Sequence, residues 1–151
     1  MNKFWKNTFC ALALGASAML VAAPSMADEW PLVPGDYWNV TGIHLKDGGG
    51  YKYAQFLAGE WHKNMEFAKS KGWIKSYMIL SNVNPRKGEP DLYLITSFAD
   101  LPNAAVSEAR NKEWAEFQKK SIEQMQSESG NRADYRTVGS DELLQELHFR
   151  K

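Results

Sequence analysis

The chain has 151 residues, of which 44% are hydrophobic, and it carries 18 basic and 18 acidic side chains. A net charge of zero gives no electrostatic reason to expect nucleic acid or an anionic membrane surface as a partner. The only cysteine is Cys10, which excludes an internal disulfide and the paired cysteines of covalent haem attachment.

Residues 1–27 predict an export signal. Lys3 and Lys6 form a basic start, an apolar run covers Phe9 to Ala23, and Ser25-Met26-Ala27 supplies the small residues that a signal peptidase reads. The run is shorter than the roughly 20 apolar residues of a membrane-spanning helix. We therefore expect cleavage near Ala27 and a periplasmic or secreted mature protein that has no membrane anchor.

The mature chain predicts an irregular N-terminal arm followed by one domain. Pro31 and Pro34 favour irregular structure over residues 28–36. β-forming residues from Tyr37 to Lys46 predict a first strand, which the glycines of residues 48–50 end. Alternation along this strand places Trp38 and His44 on the same face.

The rest of the chain predicts two helices and three strands. In chain order these are a helix over Tyr51–Lys71, strands over Trp73–Val83 and Asp91–Phe98, a helix within Asn103–Ser127 and a strand over about Leu143–Arg150. Gly59 inside the first helix costs roughly 1 kcal/mol relative to alanine, which close packing would explain. The order is that of an α+β, ferredoxin-like domain over residues 37–151, with a four-stranded antiparallel sheet and both helices on one face.

The predicted strands are apolar on both faces. In the second strand, Tyr77 and Ile79 alternate with Met78 and Leu80, so both sides of the sheet need a cover. With this element order, the domain from Tyr37 to Arg150 resembles the dimeric α/β-barrel superfamily, in which two such sheets pack face to face. The resemblance implies a homodimer. The superfamily includes monooxygenases, haem-degrading enzymes, cyclases and members without known activity.

His44 is the candidate catalytic residue. In the superfamily, polar residues of the first strand often line the pocket under the helices, which would make His44 a general acid or base. A satisfied core histidine and non-covalent haem binding through His44 remain as alternatives, so enzymatic activity stays open. His62 is expected at the helix edge or in solvent. The histidine spacing predicts no metal site, and the mature chain lacks cysteine. We expect no cofactor other than haem in that alternative.

Aromatic residues supply the candidate ligand site. A small apolar or aromatic molecule bound between sheet and helices would contact aromatic and polar side chains from several elements. The candidates are Trp38, Tyr53, Glu60, Trp61, Tyr77 and Asn82. Alternatively, the same aromatic residues form the core and dimer interface of a non-catalytic interaction protein. Glu60 is then the solvated edge of the helix, and Asn82 belongs to a solvated hairpin tip.

Overall fold

The computed structural model describes residues 29–151, so the predicted signal peptide, residues 1–27, lies outside the described residues. The elements are β1 Leu32–Leu45, α1 Gly50–Phe56, a π-helical segment Leu57–Trp61, α2 His62–Ser70, β2 Ser76–Ser81, β3 Leu92–Phe98, α3 Ala104–Gln118, α4 Ile122–Asn131, a 3-10 turn Arg132–Asp134 and β4 Arg136–Phe149. No helix in this part of the chain is long and apolar enough to cross a membrane.

The four strands form one antiparallel sheet, as the sequence predicts, in the spatial order β2-β3-β1-β4. Ile43 of β1 lies opposite Leu92 of β3 on one side and Val138 of β4 on the other. β2 and β4 are therefore the edge strands. The fold is α+β and is compatible with a ferredoxin-like domain.

β1 begins at Leu32, so most of the segment expected to be an irregular arm is strand. Leu32, Val33 and Pro34 pair with the last residues of β4, and the register shifts between Pro34 and Tyr37. β3 pairs only with the part of β1 from Tyr37 to Ile43. Residues 32–36 therefore have one unpaired edge, where the missing N–H of a proline is tolerated.

The second predicted helix is two helices, so the expectation of two helices was wrong. Lys119 ends α3 in the left-handed conformation, with a φ of 53°. Two residues later, Ser121 caps α4: its side chain accepts a hydrogen bond from the Gln124 N–H, and the Gln124 side chain accepts one from the Ser121 N–H. This reciprocal pair satisfies two N–H groups at the start of α4 and fixes the new helix start.

The first predicted helix is continuous over residues 50–70 but contains the π-helical segment Leu57–Trp61. A π-helical turn inserts one residue into an α-helix and turns the residues beyond it to a new direction. A methyl group added to Gly59 would meet no atom within 4 Å. Close packing therefore does not explain Gly59.

The core lies between the sheet and the helices. Ile43, Tyr53 and Leu57 are 2%, 1% and 7% exposed and form its centre. Near the end of α2, the ring of Phe67 stacks on Phe117 of α3 at 3.9 Å between centroids. Trp73 and Trp114 surround this pair. The aromatic contacts attach α3 to the end of α2.

The other face of the sheet carries apolar side chains that the helices do not cover. We call it the open face and define it by Trp38, Val40, Met78, Leu80, Ile95 and Leu144, whose strand positions alternate with the core-facing ones. Met78, Leu80 and Leu144 are 38%, 48% and 50% exposed. Apolar residues thus lie on both sides of the sheet, in agreement with the two-faced pattern of the strands.

Candidate functional site

An apolar groove lies between the first helix and the edge strand β2. It has a volume of about 550 Å³, and we call it the edge groove. Its walls come from α1, the π-helical segment, the first residue of α2 and the middle of β2. The lining residues are Ala54, Leu57, Ala58, Trp61, His62, Tyr77, Met78 and Ile79.

Aromatic side chains form one end of the edge groove. Trp61 meets Tyr77 edge to face, at 5.4 Å between ring centroids, and His62 lies 6.0 Å from Tyr77. Tyr77 donates its hydroxyl hydrogen to Glu66, and this hydrogen bond raises the pKa of Tyr77 above its usual value. Because the Tyr77 hydroxyl is engaged by Glu66, the imidazole of His62 and the indole N–H of Trp61 are the remaining polar side-chain groups among the lining residues.

A second groove, of about 490 Å³, lies between the first helix and the end of α4. We call it the charged groove. Its lining consists mostly of charged residues: Lys52, Phe56, Glu60, Lys120, Glu128, Asn131, Arg132, Asp134 and Tyr135. Lys120 contacts Glu128 at 2.6 Å, and Glu60 lies 4.0 Å from both Lys120 and Arg132.

The π-helical segment separates the two grooves. Trp61 lines the edge groove, whereas its neighbour Glu60 lines the charged groove. Leu57, at the start of the segment, is buried in the core. One turn of helix therefore contributes to the core and to both grooves, in keeping with the frequent occurrence of π-helical turns at functional sites.

Of the six predicted ligand-binding residues, only Trp61 and Tyr77 meet in the edge groove. Tyr53 is a core residue: its ring stacks on Phe56 at 5.7 Å and lies 6.2 Å from Tyr135. Burial raises the pKa of Tyr53, against the opposing charges of Arg136 and Arg132.

Asn82 holds the β2–β3 turn instead of facing a groove. Its side-chain N–H donates to the Pro90 carbonyl at 3.0 Å, and its side-chain oxygen accepts from the Asn84 N–H at 3.3 Å. In the same turn, Arg86 pairs with Glu89. The pair holds the pKa of Glu89 below its usual value. This arrangement corresponds to the hairpin alternative.

His44 and Trp38 lie on the face of the sheet opposite the edge groove. The residue next to His44, Ile43, points into the core, so the His44 imidazole is on the other side. The imidazole packs directly over Gly139 of β4. A methyl group added at Gly139 would come within 2.3 Å of His44 Nε2. Trp38 lines a shallow depression of the open face. The fold therefore does not place His44 in a pocket under the helices.

Two groove residues were not predicted as site residues, namely His62 and Arg132. The position of His62 follows from the π-helical segment just before it, and the spacing of apolar residues gives no signal for that turn. Arg132 reaches the charged groove because α4 begins anew at Ser121. The capping pattern Ser121-x-x-Gln124 is visible in the sequence and would have been the signal.

No group of three or more potential metal-ligating side chains occurs within residues 29–151. Comparison of the chain with protein-family models, with curated proteins and with solved structures found no match.

Proposed function

We propose that this chain is an exported domain that binds a small apolar or aromatic molecule in the edge groove. The observation that carries the proposal is the edge groove itself, whose lining is almost wholly apolar and whose polar side-chain groups are those of Trp61, His62 and Tyr77. Concave, largely apolar sites of about 300–1,000 Å³ with few polar groups are typical of small-molecule binding.

The aromatic end favours a flat ligand. The edge-to-face contact of Trp61 and Tyr77, together with the hydrogen bond from Tyr77 to Glu66, holds both rings in place before a ligand arrives. Prearranged rings lose little conformational freedom on binding, and aromatic pairs contribute about 0.5–1.5 kcal/mol beyond the burial of their area.

Calorimetric titration of the mature protein with 2-naphthol tests the proposal. Ala58 is exposed and lines the groove, so Ala58→Phe fills the groove without removing a core contact. We expect saturable binding to the wild type and at least tenfold weaker binding to Ala58→Phe. Ala105→Phe, at an exposed position of α3, is the matched control and should bind like the wild type. Absence of saturable binding, or equal binding by Ala58→Phe, would overturn the proposal.

We further infer a ferredoxin-like homodimer whose open faces pack together as in a dimeric α/β barrel. The strand order and the placement of the core on one side of the sheet support this arrangement. The exposed apolar side chains of the open face supply its interface. A contiguous apolar face of this kind is uncommon on a monomer.

A non-catalytic interaction protein is the second candidate, favoured by β2. This edge strand carries no charged residue or proline, and Ile79 and Leu80 are 41% and 48% exposed. Such a strand lacks the usual protection against pairing with another chain. Dimer formation without binding of any aromatic probe would select this candidate. The enzymatic alternative through His44 gains no support from the geometry, because His44 and the edge groove lie on opposite faces.

A further inference from the structure

We propose that the charged groove is a second binding site, independent of the edge groove, and that it takes a small zwitterion such as a free amino acid. The ligand carboxylate would lie at Arg132, and the ligand ammonium group would lie near Asp134 and Glu60. Three observations carry the proposal: the hydrogen-bond donor of Arg132 that no described residue takes up, the equal number of positive and negative side chains in the groove, and the ion pair that Lys120 and Glu128 already form there.

Arg132 is mostly enclosed but poorly satisfied. Its side chain is 17% exposed, and its Nη1 lies 4.0 Å from the Glu60 carboxylate, beyond hydrogen-bond distance. Its Nε is buried and has no hydrogen-bond partner among the described residues. Buried donors are nearly always hydrogen-bonded in native proteins, and Arg132 thus has donor capacity that no described residue takes up.

The guanidinium group of Arg132 is also held in place by the aromatic ring of Phe56. Its Cζ lies 4.4 Å from the centre of the Phe56 ring, a distance at which cation–π attraction orients the planar group. A positioned guanidinium offers paired N–H donors that match the two oxygens of a carboxylate. Arg132 therefore supplies a prepared carboxylate position at the groove wall.

The remaining charges favour a ligand with both signs. Lys120 and Glu128 neutralise each other at 2.6 Å, and this pairing raises the pKa of Lys120. Arg132 and Lys52 are then balanced by Glu60 and Asp134. Within residues 29–151, neither Lys52 nor Asp134 has an oppositely charged side-chain group within 4.0 Å, and the Lys52 ammonium lies over the Tyr135 ring.

A simple anion would meet Glu60 and Asp134, and a simple cation would meet Arg132 and Lys52. A zwitterion places each of its charges beside the opposite pair and leaves the groove neutral. Complementary charges of this kind select a partner mainly by penalising the wrong ones. The groove should therefore distinguish an amino acid from analogues that lack one of its two charges.

Nuclear magnetic resonance titration of the mature protein tests this with three probes: L-alanine, N-acetyl-L-alanine, which lacks the ammonium group, and L-alaninamide, which lacks the carboxylate. We expect saturable shifts with L-alanine at residues around the charged groove and at least tenfold weaker binding of both analogues. Arg132→Gln should weaken L-alanine binding at least tenfold. Arg86→Gln, in the exposed β2–β3 turn, is the matched control and should change nothing.

A second variant keeps the test decisive if Arg132→Gln fails to fold. Asp134 is exposed, and Asp134→Asn should weaken L-alanine binding several-fold, while N-acetyl-L-alanine, which the Asp134 charge repels, should bind no more weakly than to the wild type. Lack of saturable L-alanine binding would overturn the proposal. Equal binding of N-acetyl-L-alanine would overturn the zwitterion assignment, and unchanged binding by Asp134→Asn would do the same. Each of these results leaves the edge groove and its aromatic ligand unaffected.

Discussion

At the scale of single residues, burial rather than residue type decides which aromatic side chains are free to bind. Tyr53 and Tyr77 are equally good ligand candidates in the sequence, yet Tyr53 is 1% exposed and Tyr77 lines the edge groove. Tyr53 lies one turn before the π-helical segment and packs on Phe56 and Tyr135. Its side chain is therefore part of the folding core and should respond to pH as a buried phenol.

Tyr53→Phe should flatten the loss of stability at high pH. The pKa of Tyr53 is raised in the folded state by burial, whereas the unfolded phenol ionises near pH 10. The stability linked to Tyr53 is therefore fully present below pH 10 and is lost as the pH rises through the folded-state pKa. Urea unfolding between pH 8 and pH 11 should show a steeper decline for the wild type than for Tyr53→Phe.

Tyr51→Phe provides the control for this comparison, because Tyr51 is 78% exposed. Its unfolding free energy should follow the wild-type curve across the same pH range. If the unfolding free energy of Tyr53→Phe also follows the wild-type curve, burial does not raise the pKa of Tyr53 and the prediction fails.

At the scale of elements, the sequence predicts the strands and the first helix from hydrophobic spacing, but it misses features that depend on single turns. The alternation in β1 correctly separates Ile43 from His44, because each face of a strand meets one environment. Alternation does not say which face the helices cover, so the sequence alone does not show that His44 lies on the face away from the helices. The apolar spacing of the first helix fits a regular α-helix. Neither the π-helical segment nor the position of His62 in the edge groove could therefore be predicted from that spacing.

Gly59→Ala should stabilise the protein by about 0.5–1 kcal/mol, the usual gain for replacing glycine inside a helix. The added methyl group meets no atom within 4 Å, and the backbone at Gly59 is helical. Urea unfolding measures the change. Gly88→Ala is the matched control and should destabilise, because the φ of Gly88 is +86°. A loss of stability in Gly59→Ala would mean that the π-helical turn itself needs glycine.

At the scale of the whole molecule, the sheet has two apolar faces, and the helices cover one of them. Tyr53 and Leu57 close the core side, while the open face carries exposed residues such as Leu80 and Leu144. The edge groove forms where the first helix meets the outer strand of the sheet. The proposed ligand site and the proposed dimer interface therefore lie on different parts of the molecule, with Met78 at the edge strand common to both, and they can be tested separately.

Replacing Leu80 and Leu144 together by lysine should abolish self-association. Both side chains are about half exposed on the open face, so the substitutions place charges in the proposed interface with little cost to a single subunit. In sedimentation at micromolar concentration, the mature wild type should have the mass of two copies and the double variant that of one. Leu101→Lys, at a 53% exposed loop position, should keep the wild-type mass. A wild type with the mass of one copy would contradict the inferred dimer.

The most direct test of the proposed function is the melting temperature of the mature protein with and without 2-naphthol. A ligand present at 100 times its Kd stabilises the native state by about 2.7 kcal/mol, which raises Tm by about 10 °C for a domain of this size. We expect this rise in the wild type and in Ala105→Phe, and its absence in Ala58→Phe, in which the edge groove is filled. A wild-type Tm that does not change at saturating 2-naphthol would contradict the edge groove as a binding site.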